Sequence, residues 1–296
     1  MTMQRSPEQL TASALAVMDH AAIHYERIAP LFSGGHDSLC ACHVASQHST
    51  FAGSVYHIDT GIGAKATRAF VEETCRELGW ELKVFRSAST YEHFIRERGF
   101  PGPAMHQWAY IRLKERCVRQ LMSGSHKWGL ITGCRSQEST RRMGHVEPVK
   151  IGETSKKTGK VSNKRRVWVA PCHDWSTEEQ AVYMDHHDLS RNPLKLRLGM
   201  SGECFCGAFA SPGELDRIRF HAPDVAEEID RLACVARECG KHDKWGTRPP
   251  KAPKGIVVAE TGPLCSSCDL RAKAAGVVFA IARFIEGTNE SETDNE

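Results

Sequence analysis

A chain of 296 residues, 41% hydrophobic and with a formal net charge of +3, is long enough to bury a large core and has the composition of an ordinary globular protein. So small a net charge gives no reason by itself to expect nucleic-acid binding, and no run of eighteen apolar residues offers a membrane span. Residues 1–10 carry no hydrophobic signal segment, so a cytoplasmic protein is expected, and its twelve cysteines read as metal or redox groups more than as a disulfide framework.

The periodicity predicts a leading helix over residues 7–24, then strand 28–32, a helix to 47, strand 55–59, helix 64–78 and strand 81–85. Such alternation predicts a parallel sheet with helices on both faces. Between the first strand and its helix stands Ser33-Gly34-Gly35-His36-Asp37-Ser38. A helix start leaves its first N–H groups unpaired, so a glycine turn feeding one is a place to hold phosphate. Gly34 and Gly35 let the backbone approach the oxygens, while Ser33 and Ser38 add hydroxyl donors. The spacing is not that of a Walker loop or a dinucleotide fingerprint. Asp37 can hold Mg2+ or cap the helix start. His36 has two readings, a phosphate contact or a solvent-facing first-turn side chain.

A short helix to residue 98, a break at Phe100-Pro101-Gly102-Pro103, a helix over 105–122 and a strand over 129–132 follow. Ser33, Asp59 and Gly133 each stand at a strand's carboxyl end, where a doubly wound sheet gathers its ligand at the switch point. Lys150, Lys156, Lys157, Lys160, Lys164, Arg165 and Arg166 crowd a basic region over about 150–166, and residues 151–163 read as a mobile loop between two strands. It either contacts a nucleic-acid backbone or is simply solvated. His186-His187-Asp188, after a helix over 176–187, reads as a solvated helix end in preference to a metal triad, because adjacent histidines on a helix diverge. From residue 198 the pattern changes to cysteine-containing loops and helices near 224–239 and 270–284. The expected division is an α/β nucleotide-binding domain over 1–197, a helical cysteine-rich module over 198–285 packed on it, and a disordered acidic tail over 286–296.

The glycine loop resembles the SGGxDS pyrophosphate loop of the adenine-nucleotide alpha-hydrolase superfamily. Three later segments resemble its phosphoadenosine-phosphosulfate (PAPS) reductase-like branch: His57-Ile58-Asp59-Thr60-Gly61, then Thr132-Gly133-Cys134-Arg135-Ser136-Gln137-Glu138-Ser139-Thr140-Arg141-Arg142, then Pro171-Cys172-His173-Asp174-Trp175 followed by Asn192-Pro193-Leu194. The resemblance covers roughly residues 28–200. It implies an adenine-nucleotide alpha-hydrolase-like doubly wound sheet, with Ser33, Gly34, Gly35, His36, Asp37, Ser38, Asp59, Thr60 and Gly133 around the nucleotide. Asp37, Arg135, Glu138 and Arg142 are then the catalytic set, the arginines suited to bidentate grip on phosphate or sulfate.

Cys204-Phe205-Cys206 and Cys265-Ser266-Ser267-Cys268 are two close thiol pairs. Together they offer four sulfurs to one zinc or to a [4Fe-4S] cluster. Relatives that carry a cluster after the nucleotide domain favour iron-sulfur. Cys239, in Glu238-Cys239-Gly240-Lys241-His242, resembles the nucleophile motif of sulfonucleotide reductases, though Gly240 equally suits a helix end.

The resemblance implies an enzyme that binds ATP with Mg2+, cleaves it between the α and β phosphates and releases pyrophosphate. The acceptor is unknown, with nucleic acid reached through the basic loop and a sulfur-donor protein as expected partners. The rivals are a true sulfonucleotide reductase working through Cys239, and a non-catalytic nucleotide-sensing iron-sulfur subunit.

Overall fold

The computed structural model describes residues 4–137, 147–154 and 161–248. The chain starts with α1 (Pro7–Ala22), closed by a capping box between Ser6 and Gln9. It then alternates: β1 (Arg27–Pro30), α2 (His36–Ser46), β2 (Ser54–Asp59), α3 (Lys65–Glu77), β3 (Glu81–Arg86) and α4 (Tyr91–Arg98). A helical stretch follows as α5 (His106–Tyr110), a π-helical turn Ile111–Glu115 and α6 (Arg116–Leu121), then β4 (Trp128–Ile131).

Strands β1, β4 and β6 (Val161–Val169) run parallel in the order β1-β4-β6, with β5 (Val149–Thr154) antiparallel on β6 at the edge. A parallel β2–β3 pair joins β1 through the Leu31–Tyr56 bridge. The spatial order is therefore β3-β2-β1-β4-β6-β5. The order reverses direction between β1 and β4, which makes their carboxyl ends the switch point.

Alternation of side chains assigns the two faces. Ile28, Phe32, Ile131, Val167 and Val169 turn to a core shared with α1, α2, α3 and α7 (Thr177–His186). Ala29, Leu31, Leu130 and Trp168 turn to the other face, with Cys117, Val118 and Leu121 of α6. Strands buried on both faces carry the near-continuous apolar runs seen in β1 and β4.

A third core joins Tyr91, Phe94, Ile95 and Phe100 to the later part of the chain: α8 (Pro193–Leu198), α9 (Glu214–His221), α10 (Pro223–Glu238) and Trp245. Residues 198–248 thus share a core with residues that come before them.

Of the region expected as a mobile loop over 151–163, residues 151–154 and 161–163 are strand, with Ile151 opposite Val167 and Glu153 opposite Ser162, and residues 155–160 lie outside the described residues. Charged, low-propensity residues on an edge strand guard it against pairing with other chains, which is why the composition misleads. Arg166 is not a surface charge; it is buried against Glu115 at 2.9 Å. Lys156, Lys157 and Lys160 lie outside the described residues, as do the helix expected at 270–284 and the acidic tail.

Candidate functional site

The site is built where β1 hands over to α2. Gly34 has φ +79°, the left-handed region that favours glycine. A side chain there would also meet Thr67 Cγ2 at 2.7 Å. Ser38 Oγ donates to the Gly35 carbonyl at 2.9 Å, lies 3.0 Å from Ser33 Oγ and accepts the Ser33 N–H at 3.2 Å, which holds the loop in a tight ring. Gly35 caps α2 without a side-chain bond. Among the described residues no acceptor pairs with the N–H groups of Gly35, His36, Asp37 and Ser38. Four backbone donors at a helix start form an anion cradle.

Asp37 stands in the first turn of α2 and makes no side-chain cap bond. Its carboxylate accepts from Arg135 Nε at 2.6 Å and from Gln180 Nε2 at 2.7 Å, with Lys195 Nζ at 3.5 Å. Burial pushes this carboxyl up, but the Arg135 guanidinium, Lys195 and the Gln180 bond outweigh it and hold the group at about 2. A carboxylate so engaged does not fit a Mg2+ ligand. No group of three or more His, Cys, Asp or Glu side chains suited to a metal occurs among the described residues.

Arg135 also donates to the Trp175 carbonyl at 3.1 Å, so it ties the loop after β4 to the start of α7 and to α2. Glu138 and Arg142 lie outside the described residues. Gly133 is needed for space, since a Cβ there would overlap the Asp37 carbonyl carbon and the Ser38 nitrogen.

His36 is not solvent-facing. Its Nε2 is buried and unpartnered among the described residues, and burial, with Lys195 nearby, lowers its pKa to about 4. It is therefore neutral at pH 7, a hydrogen-bonding ring and not a fixed cation.

At the end of β2, Asp59 accepts the Gly61 N–H at 2.8 Å and is paired with Arg86 and with Arg68. Burial raises its carboxyl, and Arg86 with the Gly61 N–H brings it below its ordinary value. Thr60 Oγ1 donates to the Glu203 carbonyl at 2.7 Å. A cavity of about 220 Å³ opens there, lined by Thr60, Gly61, Arg86, Thr90, Glu92 and Arg231.

Glu203 belongs to a strap of chain, residues 201–206, laid across the turn after β2. Ala64 N–H donates to Gly202 at 2.8 Å and Phe205 N–H to Ile62 at 2.9 Å. Lys114, in the π turn, pairs with Glu203 at 2.9 Å with both side chains under a tenth exposed. Cys204 and buried Cys206 sit on this strap, near the Tyr91 hydroxyl, which itself donates to the Cys206 carbonyl at 2.8 Å. Their expected partners Cys265 and Cys268 lie outside the described residues.

Cys239 lies against Arg96 at the end of α10. Gly240, at φ +62°, donates to Arg237, and Lys241 N–H reaches back to Ala236 at 2.8 Å. That is the Schellman arrangement of a helix end. At the end of α7 His186 and Asp188 are exposed, as expected of a solvated helix end, while His187 is half-buried with its ring 4.4 and 4.8 Å from those of Tyr183 and His43.

Sequence reasoning missed Gln180, Asn192 and Lys195. Asn192 has no exposed surface, and its Nδ2 donates to the Gly34 carbonyl at 2.8 Å. The Asn-Pro-Leu triplet was the available signal, because Asn before Pro at a helix start is a capping residue.

Two curated relatives carry the name phosphoadenosine 5'-phosphosulfate reductase. One, from Xylella fastidiosa (strain M23), is 27% identical over 197 residues, covering 64% of this chain and 72% of its own. The other, from Alkalilimnicola ehrlichii, is 28% identical over 193 residues, covering 63% and 68%. Among solved structures, a PAPS reductase from Candida auris in a phosphate complex superposes with TM-score 0.45 at 14% identity, over 67% of this chain and 95% of that one. A U34-tRNA thiolase from Methanococcus maripaludis with its [4Fe-4S] cluster gives TM-score 0.41 at 12% identity, over 79% and 78%. The model of the phosphoadenosine phosphosulfate reductase domain matches residues 27–198, more than half of the chain and the whole span from β1 to α8. The chain belongs to the PAPS reductase domain family.

Proposed function

We propose that this chain binds ATP with its polyphosphate in the cradle of Ser33, Gly34, Gly35, His36, Asp37 and Ser38, and transfers the adenylyl group to an acceptor. An acceptor oxygen attacks the α phosphorus, the bond to the α–β bridging oxygen breaks, and pyrophosphate leaves with that electron pair. The carrying observation is the run of four unpaired backbone donors from Gly35 to Ser38 at the head of α2, enough for more than one phosphate group. Catalysis is then positioning and charge neutralisation. Arg135 acts through Asp37, holding the first turn of α2, and Glu138 and Arg142 remain proposed members on the strength of the motif alone. Mg2+ would arrive with the nucleotide; no step here uses Asp37 as its ligand.

The four-cysteine centre of Cys204, Cys206, Cys265 and Cys268, iron-sulfur or zinc, is likewise a proposal from spacing. Anaerobically purified protein should contain about four irons per chain if it is a cubane. Nucleic acid as acceptor is a proposal resting on Lys150, Lys164 and Arg165 of the edge hairpin, and binding that weakens steeply with salt would support it.

A second reading is favoured by the names of the curated relatives and by Glu238-Cys239-Gly240-Lys241-His242: PAPS reduction through a Cys239 thiosulfonate. One observation weighs against it: Cys239 stands at the Schellman end of α10. The test is Cys239→Ser. ATP-dependent pyrophosphate release should persist in the variant, and neither protein should form sulfite from PAPS with thioredoxin. Sulfite from the wild type, absent in the variant, would establish the reductase instead.

A further inference from the structure

The phosphate cradle depends on the orientation of one peptide unit, and the structure assigns the control of that unit to Asn192. We propose that Asn192 is a positioning residue that locks the Gly34–Gly35 peptide with its N–H facing the phosphate. The inference rests on the anion-binding reading of the loop.

The peptide between Gly34 and Gly35 is trans, as are all the described peptides. A trans peptide carries its C=O and N–H on opposite sides. Asn192 Nδ2 donates to the Gly34 carbonyl at 2.8 Å, so the Gly35 N–H must face away from Asn192. Glycine on both sides leaves little steric barrier to rotating this unit. Without its anchor the unit is free to turn over, which would replace a donor in the cradle by a carbonyl oxygen that repels phosphate.

Asn192 is itself fixed in every direction. Its second Nδ2 hydrogen goes to the Ser201 carbonyl at 3.0 Å, and its Oδ1 accepts the Leu194 N–H at 2.9 Å, capping α8. Two carbonyls on one side and an N–H on the other leave one orientation of the amide. The Ser201 carbonyl also receives Thr67 Oγ1 at 2.6 Å. Ser201 begins the strap that carries Glu203 and Cys204, so the carbonyl that orients Asn192 stands three residues from the first thiol.

Asn192→Asp is isosteric and keeps the acceptor that caps α8, but its ionised carboxylate cannot donate to Gly34. Asn192→Ser keeps a cap hydroxyl and is too short to span both carbonyls. Thr67→Val is the control, because it removes a bond to the same Ser201 carbonyl while keeping the Cγ2 methyl beside Gly34 and the Asn192 bond to the Gly34 carbonyl. Binding of inorganic pyrophosphate, ATP and adenosine is measured by calorimetry on each full-length protein, with thermal unfolding alongside.

Both Asn192 variants should bind pyrophosphate and ATP about tenfold or more weakly, while adenosine affinity changes less than about twofold. Thr67→Val should lower the unfolding temperature and leave pyrophosphate affinity within about twofold of wild type. A merely structural Asn192 would make Asn192→Ser and Thr67→Val alike in pyrophosphate binding, and that result overturns the lock. Pyrophosphate bound by Asn192→Asp as tightly as by wild type overturns it as well. Failure of the wild type to bind pyrophosphate or ATP would instead remove the anion site, and the lock with it.

Discussion

Replacing Arg135 by Gln isolates the charge balance that sets the first turn of α2. Asp37 is under a tenth exposed, and Arg135 Nε lies 2.6 Å from its carboxylate. A carboxyl held at about 2 against an ordinary 3.8 corresponds to about 2 kcal/mol of stability at neutral pH. Removing one partner of a buried pair also strands the other, so the full loss at pH 7 should be about 3 kcal/mol or more. The sign with pH is specific. In the wild type the folded carboxyl is depressed, so its contribution is present above 3.8 and is lost as pH falls toward 2. In Arg135→Gln burial dominates and the carboxyl rises above 3.8, so the variant is penalised most when the group must ionise. The gap between the two proteins should be widest at pH 7 and close toward pH 3. Adding Asp37→Asn should recover most of it, because the stranded charge is gone. The assay is reversible urea unfolding followed by tryptophan fluorescence across that pH range. A gap below about 1 kcal/mol at pH 7, or one independent of pH, would refute the buried-pair reasoning.

Gly133→Ala should push the first turn of α2 away from β4, costing about 2 kcal/mol and weakening ATP binding; an unchanged unfolding temperature with unchanged binding would show that the turn yields freely. His43 is held at about 4 by burial, with His187 stacked beside it and lowered in the same direction, so stability should fall as pH drops from 6.5 toward 4. That slope should be shallower in His43→Gln, and equal slopes in the two proteins would exclude His43 as a source. Lys114→Met leaves Glu203 buried without its cation, so about 3 kcal/mol should be lost and Cys204 should react faster with a thiol reagent. Unaltered labelling would mean that the strap is held by its backbone bonds alone.

The α/β alternation, the glycine loop and the convergence of Ser33, Asp59 and Gly133 at strand ends were legible because they are local: period, turn chemistry and a strand-to-helix junction. The helix expected over residues 176–187 is present as Thr177–His186, closed by a capping box between Ser176 and Glu179. Other features were hidden by distance in sequence. Gln180 reaches Asp37 across 143 positions, and Asn192 reaches Gly34 across 158, so no local pattern could pair them. That residues 151–154 and 161–163 are strand was hidden by polar, lysine-rich composition, and the inward turn of Arg166 to Glu115 by the charges around it. Helical spacing likewise shows that two adjacent histidines diverge, but not that the ring of His187 meets those of Tyr183 and His43.

The central claim concerns which bond of the nucleotide is cut. ATP labelled in its γ phosphate, incubated with the anaerobically purified full-length chain and a panel of acceptors including RNA and DNA, separates the possible products directly. Label leaving as pyrophosphate, in step with AMP or an adenylylated acceptor and slowed about tenfold or more in Asn192→Asp at limiting ATP, is the expected result. Label leaving only as orthophosphate, or no ATP turnover from a protein that makes sulfite from PAPS, would contradict it.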